Sequence, residues 1–358
     1  MPSLKEIKGR INSISSTLAI TSAMKMVAAA KLQKAQMAIQ NMLPYERRLH
    51  SMLIDLMGAM NISAAASEDG SVRGSGSAER GFDQSGDRLS LSNRHDLAGM
   101  GGAYSLMAQR EVRKVAIVAF ASNSSLCGAF NSNAIREATA VINEYRASGL
   151  GDADITVYSV GRKMAEAMKK LGFPSPADFT KMSDSPSYDA ASALAQELFD
   201  GFVSGRFDKV ELVYNHYKST SSQPTTRQTY LPLSLADATA DLQAGKIADS
   251  ASESDTNRGA ETVGAPVVRQ GSPTTEDLIV EPSKEALIAI LLPKVIRLRI
   301  FTTLLDSAAA EHAARTVAMQ LATDNGNDLL QELTLEYNKG RQQKITSEIL
   351  DLVGGSLQ

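Results

Sequence analysis

A chain of 358 residues has room for one large domain or two modest ones, and its 43 % hydrophobic share is ample for a core. The 37 basic and 40 acidic side chains leave a net charge of −3, which gives no whole-chain argument for nucleic acid. Cys127 is the single cysteine; this excludes an internal disulfide, a dithiol switch and a multi-cysteine zinc site, and it points to a reducing compartment. No apolar run is long enough to span a bilayer, and the first residues lack the charged-then-apolar pattern of a signal peptide, so a soluble protein is expected. Aromatics are scarce and Trp is absent, while Ala and Met are plentiful. That bias suits helices packed closely side by side, because Ala has no side-chain entropy to lose and Met fills irregular gaps.

In chain order, Ser3 to about Asn61 reads as one helix. Leu4, Ile7, Ile11, Ile14, Leu18, Thr21, Lys25, Ala28, Leu32, Ala35, Ile39 and Met42 step by three and four alternately, the seam of a coiled coil. Only Thr21 and Lys25 break its apolar character. Pro44 is expected to kink or interrupt the helix. At a rise of about 1.5 Å per residue the segment is on the order of 85 Å long, more than a compact domain buries alone. Residues 62–110 then turn rich in Ser, Gly and Asp and read as a flexible insertion, as do residues 236–275.

Between the insertions, residues 111–235 carry an α/β pattern. Strands are expected from Val112, at Asp154–Val160 and at Asp208–Asn215, with an edge strand from Arg227. Helices are expected at Asn133–Ser148, Gly161–Leu171 and Asp189–Gly201. Strands alternating with helices imply a Rossmann-like domain with a mostly parallel sheet. The last segment, 276–358, is helical again from about Ser283 to Val353, with Pro293 expected to kink its early part. Its seam runs through Leu298, Phe301, Leu305, Ala308, His312, Arg315, Met319, Ala322, Gly326, Leu329 and Leu333. Two terminal helices of similar length, 1–61 and 276–358, each with one apolar stripe, most simply pair as a long antiparallel coiled coil beside the α/β domain.

Catalytic signatures are scarce. There is no GxxxxGK[ST] phosphate loop, and the Gly-Met-Gly-Gly run beginning at Gly99 does not follow a strand, which fails the context for dinucleotide binding. His50, His95, His216 and His312 show no metal-ligand spacing, so structural or solvent-facing roles are expected for them and neither a metal nor a cofactor is. Cys127 follows the first strand of the domain. It suits either a nucleophile turn or a tight turn with a buried thiol; no His/Asp pair lies near it in sequence, so the turn is the reading adopted. The first helix carries Lys5, Lys8, Arg10, Lys25, Lys31 and Lys34 against Glu6 alone before Glu46. Such a face serves a nucleic acid, an acidic protein loop or plain solvation; a nucleic-acid-binding protein with a basic coiled-coil arm is the alternative that follows. Lys25 stands out because it lies on the seam, where a charge is costly without a partner.

Three stretches together resemble one family. Arg10 to Gln36 (RINSISSTLAITSAMKMVAAAKLQKAQ) is similar to the N-terminal signature of the gamma-subunit family of F-type ATP synthases. Glu311 to Gly326 (EHAARTVAMQLATDNG), continuing as Leu333 to Ile349 (LTLEYNKGRQQKITSEI), resembles its C-terminal signature. Leu126 to Asn131 (LCGAFN) matches the turn after the first strand of its α/β domain. The order is that of the family, with the two insertions left out. The sequence departs from the family where Asn123-Ser-Ser stands for Asp-Arg-Gly, and where Gly340 stands for Ala at a cost of about 1 kcal/mol of helix stability.

The resemblance implies a non-catalytic rotor: a central stalk whose paired helices pass up a ring of three alpha and three beta subunits. Its α/β domain attaches, with epsilon, to the membrane ring of c subunits. Nucleotide sits in alpha and beta, which agrees with the missing phosphate loop. The resemblance also implies contact roles. Met24 and Lys25 match the place that faces an acidic loop of beta, Glu311 and Arg315 match positions near that contact, and Gln342 and Thr346 match polar positions higher on the shaft. The polar seam residues Thr21, Lys25, His312 and Arg315 are read as the level where the helix pair ends and the ring begins. A peripheral place on the cytoplasmic face of a bacterial inner membrane is expected.

Overall fold

A computed structural model describes residues 3–59, 106, 110–233 and 284–355. The insertions expected at 62–110 and 236–275 lie outside the described residues, apart from Leu106 and Arg110. The element order is α1 (Leu4–Ala59), β1 (Val115–Phe120), α2 (Phe130–Ala147), β2 (Ile155–Val160), α3 (Arg162–Lys170), α4 (Thr180–Asp184), α5 (Tyr188–Val203), β3 (Lys209–Asn215), β4 (Thr225–Leu231) and α6 (Lys284–Gly355). α4 has no counterpart in the sequence reading; five residues are too few to set up a helical period.

The described strands form one sheet in the order β2-β1-β3-β4, parallel except for β4, which pairs antiparallel at the edge. β1 sits inside the sheet and is buried along its whole length, as a continuous apolar run requires when both faces are covered. Side chains alternate across the strand. Val115, Ile117 and Ala119 face α2 and α3 through Ala134, Ala138, Val141, Ile142, Met164 and Met168. Ala116, Val118 and Phe120 join a larger cluster with Leu194, Leu198 and Phe202 of α5, Leu49, Leu53 and Leu56 of α1, and Leu292, Ile296 and Ile300 of α6. The base of the helix pair is therefore one layer of the domain core. Leu106 is fully buried in that same cluster, and Arg110 lies over the Phe202 ring at 5.0 Å.

Gly161 opens α3 with φ +98°, and a Cβ there would stand 2.0 Å from the Ala121 carbonyl oxygen. Only glycine lets β2 turn into α3 that close to the end of β1.

α1 and α6 run through Pro44 and Pro293 without interruption. A proline removes one helical hydrogen bond, and the packing of Leu49, Leu53 and Leu56 beyond Pro44, and of Leu292, Val295 and Ile296 around Pro293, continues the element on both sides. With 56 and 72 residues, the helices are roughly 84 and 108 Å long at 1.5 Å per residue.

Candidate functional site

The helix pair is antiparallel. Glu46 accepts from Thr302, Leu32 and Ala35 pack with Ala309 and Ala313, Thr323 donates to Thr21 at 3.1 Å, Leu18 lies against Gly326, and Leu4 lies against Gly340. Every seam position expected on α1 is buried or half-buried. On α6 the expected seam is correct as far as Met319 and again at Gly326 and Leu333, but Ala322 and Leu329 are exposed and Thr323 and Leu330 take their place, with Tyr337 and Gly340 continuing the half-buried line. Steps of three-then-four and four-then-three have the same mean period, so sequence cannot choose between them; the facing helix does. Gly340 now has a role. A Cβ at this position would lie 3.2 Å from Leu4 Cδ2, so glycine allows the two backbones to approach.

The polar seam residues do not end the pair. Thr21 is hydrogen-bonded across it, and pairing continues to Leu4 and Gly340. Above that level no other described element packs against α6. From Arg341 to Val353 every described side chain is exposed, including Ile345, Ile349, Leu350, Leu352 and Val353.

The six expected contact residues fall into three settings. Met24 and Lys25 are half-buried on α1, and among the described residues Lys25 makes no ion pair. Gln342 and Thr346 are exposed on the unpaired part of α6, where the Thr346 hydroxyl donates to the Gln342 carbonyl oxygen at 2.9 Å. Glu311 and Arg315 face inward instead. Their side chains are only 9 % and 11 % exposed and bonded to each other at 2.7 Å, while a second Arg315 nitrogen donates to Ser124 Oγ at 2.7 Å. Among the described residues, no hydrogen bond or ion pair joins these three settings.

Burial pushes the Glu311 carboxyl up, against the nearby Arg315 and Lys31 cations, and the Asp184 charge adds to the rise. Burial, helped by Arg315 and Lys31, pushes His312 down to about 4, so the imidazole is neutral at pH 7. A cavity of about 10 Å³, enough for one water, borders Glu311 together with Ser183 and Ser307.

The turn after β1 is a hydrogen-bonded knot. Asn131 Oδ1 accepts from the Ser122 amide and hydroxyl, its Nδ2 donates to the Ser124 carbonyl and contacts Cys127 Sγ at 3.2 Å. Asn123 accepts from the Arg162 amide at 2.7 Å and donates to the Thr180 carbonyl, which ties the turn to α3 and α4. Cys127 is 1 % exposed and packs with Phe130 on Ala310 of α6. The thiol is a small buried hydrophobe in a tight turn, as the adopted reading has it.

A second link lies lower on α6. Asp306 accepts from the Tyr217 amide at 2.9 Å and bonds His216 Nδ1 at 2.6 Å, and the Tyr217 hydroxyl accepts from Gln36 of α1 at 2.7 Å. The Asp306 bond holds the His216 imidazole above the usual histidine range. Sequence reasoning passed over Asp306 and Ser124. The available signal was Asp306 as a lone charge inside the apolar run from Phe301 to Ala310. Of the basic side chains counted on α1, Lys5, Lys8, Arg10, Lys31 and Lys34 are exposed, and Arg10 pairs with Glu6 at 2.8 Å.

The profile of the ATP synthase family matches residues 3–357. The ATP synthase gamma chain of Phocaeicola vulgatus is 47 % identical over 357 residues, covering 100 % of each chain, so segments 62–110 and 236–275 fall within the aligned span. That of Bacteroides thetaiotaomicron is 44 % identical, again over 100 % of each chain, and that of Flavobacterium johnsoniae is 35 % identical, over 99 % of this chain and 98 % of the relative. Among solved structures, a chain of the Euglena gracilis mitochondrial ATP synthase (OSCP/F1/c-ring, rotational state 3) shares the fold, with TM-score 0.51 and 18 % identity over 98 % of this chain and 92 % of that one. With the profile and the relatives both matching from end to end, the chain belongs to the ATP synthase gamma chain family.

Proposed function

We propose that this chain is the central stalk of an F-type ATP synthase. It turns inside a ring of three alpha and three beta subunits, and its α/β body attaches, with epsilon, to a membrane ring of c subunits. Ion flow through that ring is thereby coupled to ATP synthesis in the catalytic ring. The observation that carries the reading is the upper part of α6. It outruns α1 and leaves Ile345, Ile349, Leu350, Leu352 and Val353 exposed, a surface that a surrounding sleeve of subunits covers. One asymmetric shaft presents a different face to each of three identical sites. Differential contact energy then holds those sites in different conformations, and rotation moves each through binding, reaction and release.

In this reading Met24 and Lys25 meet beta at the middle of the shaft, Gln342 and Thr346 meet the ring higher up, and Glu311 and Arg315 shape the same level from within. Residues 111–235 are the body, with 62–110 and 236–275 as insertions. The chain is peripheral: no described helix is long and apolar enough to cross a membrane. Its place is the cytoplasmic face of a bacterial inner membrane.

Purification from the native membrane tests the assignment. Alpha and beta subunits are expected to co-elute with this chain, and recovering neither overturns it. A sharper test is Lys25→Glu, which exchanges one half-buried charge for another and is expected to slow gradient-driven ATP synthesis more than it alters stability. Full synthesis by that variant removes Lys25 from the contact set.

A further inference from the structure

The strand order reverses at β1, with β2 on one side and β3 on the other. Open α/β sheets place their ligands outside the carboxyl ends of the strands at such a point. Here α6 fills that crevice with its own side chains. Arg315 reaches the turn after β1 through Ser124 Oγ, and Glu311 holds its guanidinium from the other side, both bonds being 2.7 Å. Gly128, at φ +57°, brings the same turn onto α6, where a Cβ would lie 3.8 Å from that of Ala318. Ala310 packs on Cys127 and Phe130. Lower down, Asp306 holds the end of β3 through His216 and the Tyr217 amide. Within about three turns, one helix thus grips the carboxyl ends of both central strands.

A shaft under load passes torque to its body only through contacts that resist sliding. Apolar packing is non-directional. Charge-assisted hydrogen bonds fix a geometry. We infer that Arg315 is a positioning residue which locks the turn after β1 to the shaft through Ser124, so that this joint, rather than a direct contact of Arg315 with the ring, carries torque between body and shaft. Glu311 keeps the guanidinium aimed at the turn.

The inference rests on the rotor reading, and its test separates the two. Arg315→Gln, Ser124→Ala, the pair together and Ser124→Thr are made in the assembled complex. The readout is the ratio of gradient-driven ATP synthesis to ATP hydrolysis. Each of the first two is expected to lower that ratio by about fivefold, the low end of a coupling between linked sites. The double variant falls no further than the worse single, because both remove one bond, and Ser124→Thr, which keeps the hydroxyl, restores the ratio. A wild-type ratio for Ser124→Ala, or effects that multiply in the double variant, overturns the joint and leaves Arg315 as a ring contact. If Arg315→Gln does not assemble, the two Ser124 variants decide the matter alone. Independently of any partner, amide exchange at residues 124–131 of the full chain is expected to quicken about tenfold in Ser124→Ala, the loss of one hydrogen bond to a charged group. Unchanged exchange also overturns the joint. Failure of the rotor reading looks different: the wild-type chain itself then recovers no alpha or beta.

Discussion

From Ile288 to Met319, α6 is lined by buried side chains, among them Leu292, Val295, Ile296, Ile300, Leu304, Ala309 and Ala313; from Arg341 to Val353 the described side chains are all exposed. Both stretches carry aliphatic residues, although they are sparser in the upper one, where Arg341, Gln342, Gln343, Lys344 and Glu348 stand among them. What differs is the neighbour. The lower stretch has a sheet on one side and α1 on the other, and several of its charges are tied to the domain: Arg297 bonds Gln196, Asp306 bonds His216 and the Tyr217 amide, and Arg315, held by Glu311, bonds Ser124. The upper stretch has neither, and it keeps apolar side chains in water. A helix can thus be a core element at one end and a bearing surface at the other.

The largest expected effect comes from comparing one truncation at each end. Leu292→Ala, at a fully buried position, is expected to cost about 2–5 kcal/mol, whereas Leu350→Ala, at 65 % exposure, stays within about 0.5 kcal/mol. Urea unfolding of the two variants measures this, and similar losses erase the contrast.

A second comparison uses pH within the lower stretch. The His312 value of about 4 lies below the unfolded value of 6.5, so between those values the unfolded chain takes up a proton that the folded chain refuses. Its contribution is complete above pH 6.5 and is lost as the pH falls, by at most about 1.4 kcal/mol per pH unit for each such group. His216 has the opposite sign. Its raised value stabilises the fold below 6.5, and that benefit goes as the pH rises through the folded value. His312→Gln is therefore expected to flatten the fall in melting temperature between pH 6.5 and 4, and His216→Gln to flatten the loss on the alkaline side. The first flattening is partial, because burial also lowers His50 to about 4; Glu311, with its raised carboxyl, takes up a proton in the folded state and so acts in the opposite direction. Identical pH profiles for the two variants contradict this division.

The smallest effect lies where the pair ends. Gly340→Ala gains up to about 1 kcal/mol of helix propensity and meets Leu4 Cδ2 at 3.2 Å, which the side chain can yield. Gly326→Ala places its Cβ 2.6 Å from Leu18 Cδ2 and has to displace it, so the same propensity gain is offset. Melting temperatures are expected to rank Gly340→Ala above Gly326→Ala.

Much of this molecule is legible in the chain itself. The three-and-four spacing marks both long helices, the β-branched runs mark the three parallel strands, and the motifs at Arg10–Gln36, Leu126–Asn131 and Glu311–Gly326 mark the family. These are local or periodic signals, and periodicity needs no knowledge of what the element touches. Motif position puts Glu311 and Arg315 on the last helix but is blind to direction, and the structure bonds the pair to each other and Arg315 to Ser124 in the turn after β1. The phase of the upper α6 seam, the continuation of pairing beyond Thr21, and the grip of Asp306 on His216 and Tyr217 were decided by tertiary structure alone. The physical reason is shared. Each depends on which of several equivalent faces a helix turns toward a partner far away in sequence, and that choice belongs to the packing of two or more elements together.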